Sequence, residues 1–215
     1  MADGAGYFIS FEGGEGSGKT TQISLLAQWI EQVAPSRRPL VTREPGGTPV
    51  AEDIRALLVK GSADKLLPAT EALLMSASRH EHVERVIKPA LADGRIVISD
   101  RYNDSTQIYQ GIVGGVGSDA IAALNRLACG TLVPDITFLL DMDVDSGLGR
   151  ADGRGGDETR FESKGASFHK AVRRGFLDLA ESEPQRFVVL DAAASITELA
   201  NSVRSAVTER LALGR

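Results

Sequence analysis

The chain has 215 residues, 42% hydrophobic and 25% charged, the proportions of one globular domain with a substantial core. Its 24 basic and 29 acidic side chains leave a net charge of −5, which excludes a general nucleic-acid binder and requires any phosphate ligand to meet locally concentrated cations. One cysteine, Cys129, excludes an internal disulfide, residues 1–6 carry no basic leader, and no stretch approaches the roughly 20 apolar residues of a membrane span, so the expectation is a cytoplasmic protein without membrane contact.

Residues 7–11 form an apolar run of strand length. Gly13-Gly14-Glu15-Gly16-Ser17-Gly18-Lys19-Thr20 follows and fits G-x-x-x-x-G-K-[ST]. Thr21 then leads into a segment with Ile23, Leu26, Ala27 and Ile30 at helical spacing. A glycine-rich loop between a strand and a helix is the context of a phosphate-cradling P-loop. Its glycines let backbone approach phosphate oxygens, and the helix start offers free N–H groups. Gly13 to Thr21 is therefore the expected ATP-binding stretch. Lys19 would reach the β- and γ-phosphates, and the Thr20 hydroxyl would ligate Mg²⁺.

The next strand, 39–42, ends in Arg43-Glu44-Pro45-Gly46-Gly47-Thr48. A short helix over 52–59 carries Arg55. A longer one over 70–91, bent near Pro89, carries Met75 and Arg79. A third strand, 96–99, delivers Asp100-Arg101-Tyr102. Residues 111–118, with four glycines, read as a loop, and 119–127 as a helix. A strand over 136–140 precedes a glycine-rich, charged loop over 147–165 that holds Arg150, Arg154 and Arg160. A helix over 168–180, a strand over 187–190 and an amphipathic helix over 196–213 complete the chain.

Apolar strands alternating with helices predict an α/β protein of the P-loop NTPase fold. Its five-stranded parallel sheet would be flanked by helices on both faces, and 1–215 would be one domain. Ligands of such sheets bind at the carboxyl ends of strands. Two of those ends bring an arginine and a carboxylate toward the P-loop, and Asp100 is suited to hold Mg²⁺ or its water.

The P-loop, Arg43-Glu44-Pro45-Gly46-Gly47, Asp100-Arg101-Tyr102 and Ser105-Thr106-Gln107-Ile108-Tyr109-Gln110-Gly111 occur in the order and spacing of thymidylate kinases, which the chain resembles over nearly its whole length. The resemblance implies transfer of the γ-phosphoryl group of ATP to thymidine 5′-monophosphate by a nucleoside monophosphate kinase. Arg43 and Arg101 would grip the acceptor phosphate, with Glu44 and Arg55 nearby. Arg79 would read the thymine edge, and Thr106 and Gln110 would line the base pocket. Tyr109 would pack on the sugar, and Glu15 would meet its 3′-hydroxyl. Met75 stands where much of the family has a stacking phenylalanine, and its thioether covers a ring less rigidly.

Residues 147–165 resemble the lid that closes over ATP. Gly16 follows Glu15 where some members carry an arginine, so the chain resembles the bacterial subtype whose lid supplies that cation. Arg154, or Arg150, is then a catalytic residue beside Lys19, Arg101 and Glu15. The family also implies a homodimer, with apolar surface on 70–91 and 120–132. Two other readings share the P-loop: a kinase for a different monophosphate, and a P-loop switch ATPase that binds partners according to nucleotide state.

Overall fold

The computed structural model describes residues 5–152 and 160–211. Five parallel strands form one sheet in the order β2-β3-β1-β4-β5: β1 (Tyr7–Gly13), β2 (Leu40–Arg43), β3 (Ile96–Asp100), β4 (Ile136–Asp141) and β5 (Phe187–Asp191). Each predicted strand is present, extended or shifted by a residue or two at its carboxyl end. There the chain leaves the apolar core and its polar residues turn toward the site.

The two-residue period of β1 explains how both faces are covered. Ile9 and Phe11 face one layer, where they meet Ile23, Leu26 and Ile30 of α1 (Lys19–Val33) and Leu199, Val203 and Val207 of α9 (Ile196–Leu211). Phe8 faces the other layer, against Val83, Ile87 and Tyr102. On that same side Leu139 of β4 packs on Val172, Phe176 and Leu179 of α8 (Ala166–Ser182). Burying about 1.5–3 kcal/mol per large apolar side chain on each face fixes the register of the central strand.

The remaining helices are α2 (Pro49–Val59), α3 (Pro68–His82), α4 (Lys88–Ala92), α5 (Asn103–Thr106), α6 (Ser118–Cys129) and α7 (Val144–Asp152). In α2 the Thr48 side chain accepts from Ala51 N at 3.1 Å and Pro49 sits in the first turn, a cap written in the sequence. The helix predicted over 70–91 runs from α3 through a π-helical turn over Val83–Ile87 into α4, which carries Pro89 in its first turn.

The loop predicted over 111–118 is shorter than expected. Gln107–Val113 is π-helical and continues α5, with Gly111 against Ile121 of α6. The predicted lid begins inside α7, and residues 160–165 contain a short 3₁₀ turn, Glu162–Lys164. Arg154 lies outside the described residues.

Candidate active site

The P-loop connects β1 to α1 at the carboxyl edge of the sheet. Gly18 caps α1 at φ 88° and no side chain takes the helix's first N–H groups, which leaves them available to an anion. Lys19 is buried and lies over the loop, its Nζ 2.9 Å from Gly14 O and 3.2 Å from Gly13 O. Burial and the nearby Arg101 charge push its ammonium below the usual lysine range. Gly16 has φ 69°, and a Cβ there would stand 2.0 Å from Gly147 O of α7. The close approach of α7 thus leaves no room for an arginine at this position.

Thr20 Oγ1 donates to Asp100 Oδ2 at 3.4 Å, so the two oxygens expected to meet a cation converge at the loop's end. Among the described residues no group of three or more His, Cys, Asp or Glu side chains is set to hold a metal ion. A hydroxyl and a carboxylate suit a hard divalent cation that keeps waters and phosphate oxygens as its other ligands.

Arg101 sits at the end of β3 with φ 68°, a left-handed conformation that a side chain adopts only when its surroundings hold it. Four contacts do so. Arg101 N donates to Phe11 O at 2.9 Å, Ser99 Oγ donates to Arg101 O at 2.7 Å, and Tyr102 N and Ser105 Oγ donate to the Glu12 carboxylate at 2.8 and 2.6 Å. The guanidinium is thereby aimed at Glu15, with Nη2 3.0 Å from Oε1, and lies 5.3 Å over the Tyr109 ring. Burial opposes its charge, but Tyr109, Glu15, Glu12 and Asp100 outweigh that and hold Arg101 firmly cationic. Glu12 is wholly buried. Desolvation first, and Asp104 second, raise its carboxyl to about 7.

Another group of charged side chains comes from the end of β2, from α2 and from α3. Arg43 Nη2 pairs with Glu52 Oε2 at 3.0 Å, and Arg55 Nη1 donates to Pro45 O at 2.9 Å. Both oxygens of Glu44 are engaged, Oε2 by Arg79 Nε at 2.7 Å and Oε1 by His82 Nδ1 at 2.9 Å. Glu44 thus orients Arg79 and His82 while itself lining the cleft. Arg79 is buried and further donates to Thr106 Oγ1 at 2.9 Å and Tyr102 O at 3.2 Å. Glu44 offsets the cost of its burial and raises its pKa. Tyr109 is boxed by Phe161, Phe168 and Phe176, and its buried hydroxyl meets no hydrogen-bond partner among the described residues. Burial raises that hydroxyl to about 12, so it stays protonated.

One cleft of about 1210 Å³ brings these groups together. Its wall includes Glu15 to Thr20 of the P-loop, Arg43, Glu44, Arg55, Met75, Arg79, Asp100, Arg101, Thr106, Tyr109 and Gln110. Gly13 and Gly14 do not line this cleft but a smaller pocket with Leu140 and Met142, and Thr21 is exposed on α1. Arg150 does not line the cleft; its Nη1 donates to Ala192 O at 3.3 Å.

Arg160 differs from expectation. It is no solvent-facing lid cation but is wholly buried, 2.5 Å from Glu71 and bonded to Leu58 O and Ala63 O. A charged loop reads as solvated in sequence, and nothing local reveals the carboxylate waiting on α3. Glu12, Glu52, His82 and Phe161 also belong to the site and carry no motif signal beyond their adjacency to residues that do.

The family model for thymidylate kinase matches residues 11–203. A thymidylate kinase of Caulobacter vibrioides is 50% identical over 208 residues, 97% of this chain and 99% of that one. One from Geobacter sulfurreducens is 47% identical over 211 residues, covering 96% and 98%. The crystal structure of thymidylate kinase from Ehrlichia chaffeensis superposes with a TM-score of 0.77 at 36% identity, covering 94% of this chain and 99% of that one.

Proposed function

The chain belongs to the thymidylate kinase family, and from that membership we propose that the cleft around Lys19 is where the γ-phosphoryl group of ATP passes to thymidine 5′-monophosphate. The activity is the family's: an ATP-dependent kinase that makes thymidine diphosphate for dTTP synthesis. One observation carries the assignment of the site. A P-loop lysine, the Arg101–Glu15 pair and the Arg79–Thr106–Gln110 set share a single cleft.

The acceptor phosphate is itself the nucleophile and is already ionised, so no general base is needed. Catalysis consists of bringing two anions into line and neutralising the equatorial charge. ATP lies over the P-loop, with the α1 N-terminus toward its phosphates. Lys19 leaves Gly13 O and Gly14 O for the transferred group. Arg101, aimed by Glu12, joins Arg43 and Arg55 at the acceptor phosphate. Glu15 meets the 3′-hydroxyl. The Tyr109 hydroxyl lies near the sugar, with its ring limiting room for a 2′-hydroxyl. Met75 covers the base. Thr20 and Asp100 would hold Mg²⁺, which when bound offsets charge on the β- and γ-phosphates.

Substrate choice is checked by diphosphate formation from a panel of monophosphates. Thymidine monophosphate is expected to exceed its ribo-counterpart and deoxycytidine monophosphate by at least about tenfold in kcat/KM. Comparable efficiency on the cytosine nucleotide would overturn the base-pocket assignment and leave the kinase class intact.

A homodimer through α3 and α6 accords with Leu73 and Leu127, which are 57% and 79% exposed on these neighbouring helices. Sedimentation at micromolar concentration is expected to give twice the chain mass, and a monomer would refute this. One sheet with a core on each face supports reading 1–215 as a single kinase domain. No helix among the described residues is long and apolar enough to cross a membrane. The buried free thiol of Cys129 accords with a reducing compartment, and we assign the enzyme to the cytoplasm.

A further inference from the structure

Glu71 stands on α3, one turn before Met75, and is only 3% exposed. Three groups converge on its carboxylate. Gln110 Nε2 donates to Oε1 at 2.7 Å, Arg160 Nη2 is 2.5 Å from Oε2, and Lys164 Nζ is 3.9 Å from the same oxygen. Paired with Arg160, the carboxylate only accepts hydrogen bonds, so Gln110 turns its NH₂ group toward Glu71. Flipping the amide would set its carbonyl oxygen against a carboxylate with no proton between them. Gln110 is itself buried and lines the cleft, and the acceptor it retains for a ligand there is Oε1.

We propose that Glu71 sets the polarity of Gln110 and thereby selects a pyrimidine that carries N–H at ring position 3 over one that carries a bare nitrogen there. Thymine has N3–H, a donor for Gln110 Oε1. Cytosine has an N3 lone pair, which meets that oxygen with repulsion. Arg79 supplies the complementary half. It has donors only, and Glu44 fixes its orientation. It suits the O4 acceptor of thymine and opposes the amino group of cytosine. A Gln110 free to flip would offer N–H to cytosine N3 and recover one of the two lost hydrogen bonds. Glu71 prevents that recovery without touching the base. The inference rests on the reading of this cleft as the thymidylate pocket. Arg160 gives the device a second element, because the chain leaving the lid segment holds the carboxylate that orients the base reader.

The test is kcat/KM for the thymidine and deoxycytidine monophosphates in the parent and in Glu71→Gln. Glutamine keeps the volume but can accept from Gln110 or donate to it, so both amide orientations become available. The ratio of the two efficiencies is expected to fall about tenfold, with the gain on the cytosine nucleotide read in KM. A purely structural role would lower both efficiencies together and leave their ratio alone.

Because Glu71→Gln leaves the Arg160 charge unpaired, Glu71→Met/Arg160→Met is measured beside it; apolar replacement of a buried pair is often tolerated, and the same fall is expected. In the parent, the side-chain amide protons of Gln110 are expected to exchange slowly with solvent by NMR. A ratio within about twofold of the parent in either folded variant, or fast exchange of that amide in the parent, overturns the proposal. A parent that fails to prefer the thymine nucleotide overturns the substrate reading instead.

Discussion

Lys19→Ala is expected to abolish diphosphate formation, a fall of more than about 10³ in turnover, while the variant melts no lower than the parent. The two halves of that expectation have separate causes. Lys19 Nζ is the P-loop's own cation beside the helix start where the transferred phosphate would sit, and no other described lysine lines the cleft. Its bonds within the protein go to Gly13 O, Gly14 O and Ser17 Oγ, and none joins the packed clusters on either face of the sheet. The fold also holds this ammonium against burial and the Arg101 charge, which lower its pKa, so its removal relieves a cost. Turnover is read by coupled detection of ADP and stability by thermal denaturation. Near-parent turnover would sink the assignment of this loop. A large drop in melting temperature would contradict the separation of chemistry from folding.

The lid arginines are expected to divide just as sharply. Arg154→Ala should lower turnover by roughly 10³–10⁵, the worth of an arginine supplied to phosphoryl transfer elsewhere, with a smaller effect on thymidylate binding. The need for such a cation follows from Gly16, where α7 leaves no space for a P-loop arginine. Arg160 cannot fill that role because Glu71 and two carbonyls hold it in the interior. Arg160→Ala should instead destabilise the fold by about 3–5 kcal/mol, since it strands the Glu71 carboxylate away from water. Arg150, near Ala192 O beside the loop after β5, is the alternative source of charge. If Arg154→Ala and Arg150→Ala both turn over within a few-fold of the parent, the lid does not supply the catalytic cation. If Arg160→Ala melts with the parent but loses turnover, its role as an anchor is wrong.

The contrast between Arg154 and Arg160 marks the limit of what the residues reveal in order along the chain. The strands were legible because buried parallel strands must be apolar runs. The P-loop was legible because its motif sets Gly13 and Gly18 at fixed spacing before Lys19 and Thr20, between a strand and a helix. The carboxyl-end arginines followed from the rule that such sheets bind ligands at that edge. Other features depend on which residue of another element stands opposite. Glu12 reads as one more strand residue until Tyr102 and Ser105 are seen to converge on it. Glu71 reads as a first-turn helix carboxylate until Gln110 and Arg160 meet there. The π-helical turns over Val83–Ile87 and Gln107–Val113 share apolar spacing with ordinary helix and have no separate sequence signal.

Direct transfer between two nucleotides held in one cleft is measured by supplying ATP labelled in its γ-phosphate together with thymidine monophosphate and following where the label goes. The label is expected in the β-phosphate of thymidine diphosphate, one for one with the ADP formed, with little inorganic phosphate released. Label recovered mainly as inorganic phosphate, at a rate indifferent to thymidine monophosphate, would mean that the cleft hydrolyses ATP without an acceptor and would rule out direct transfer.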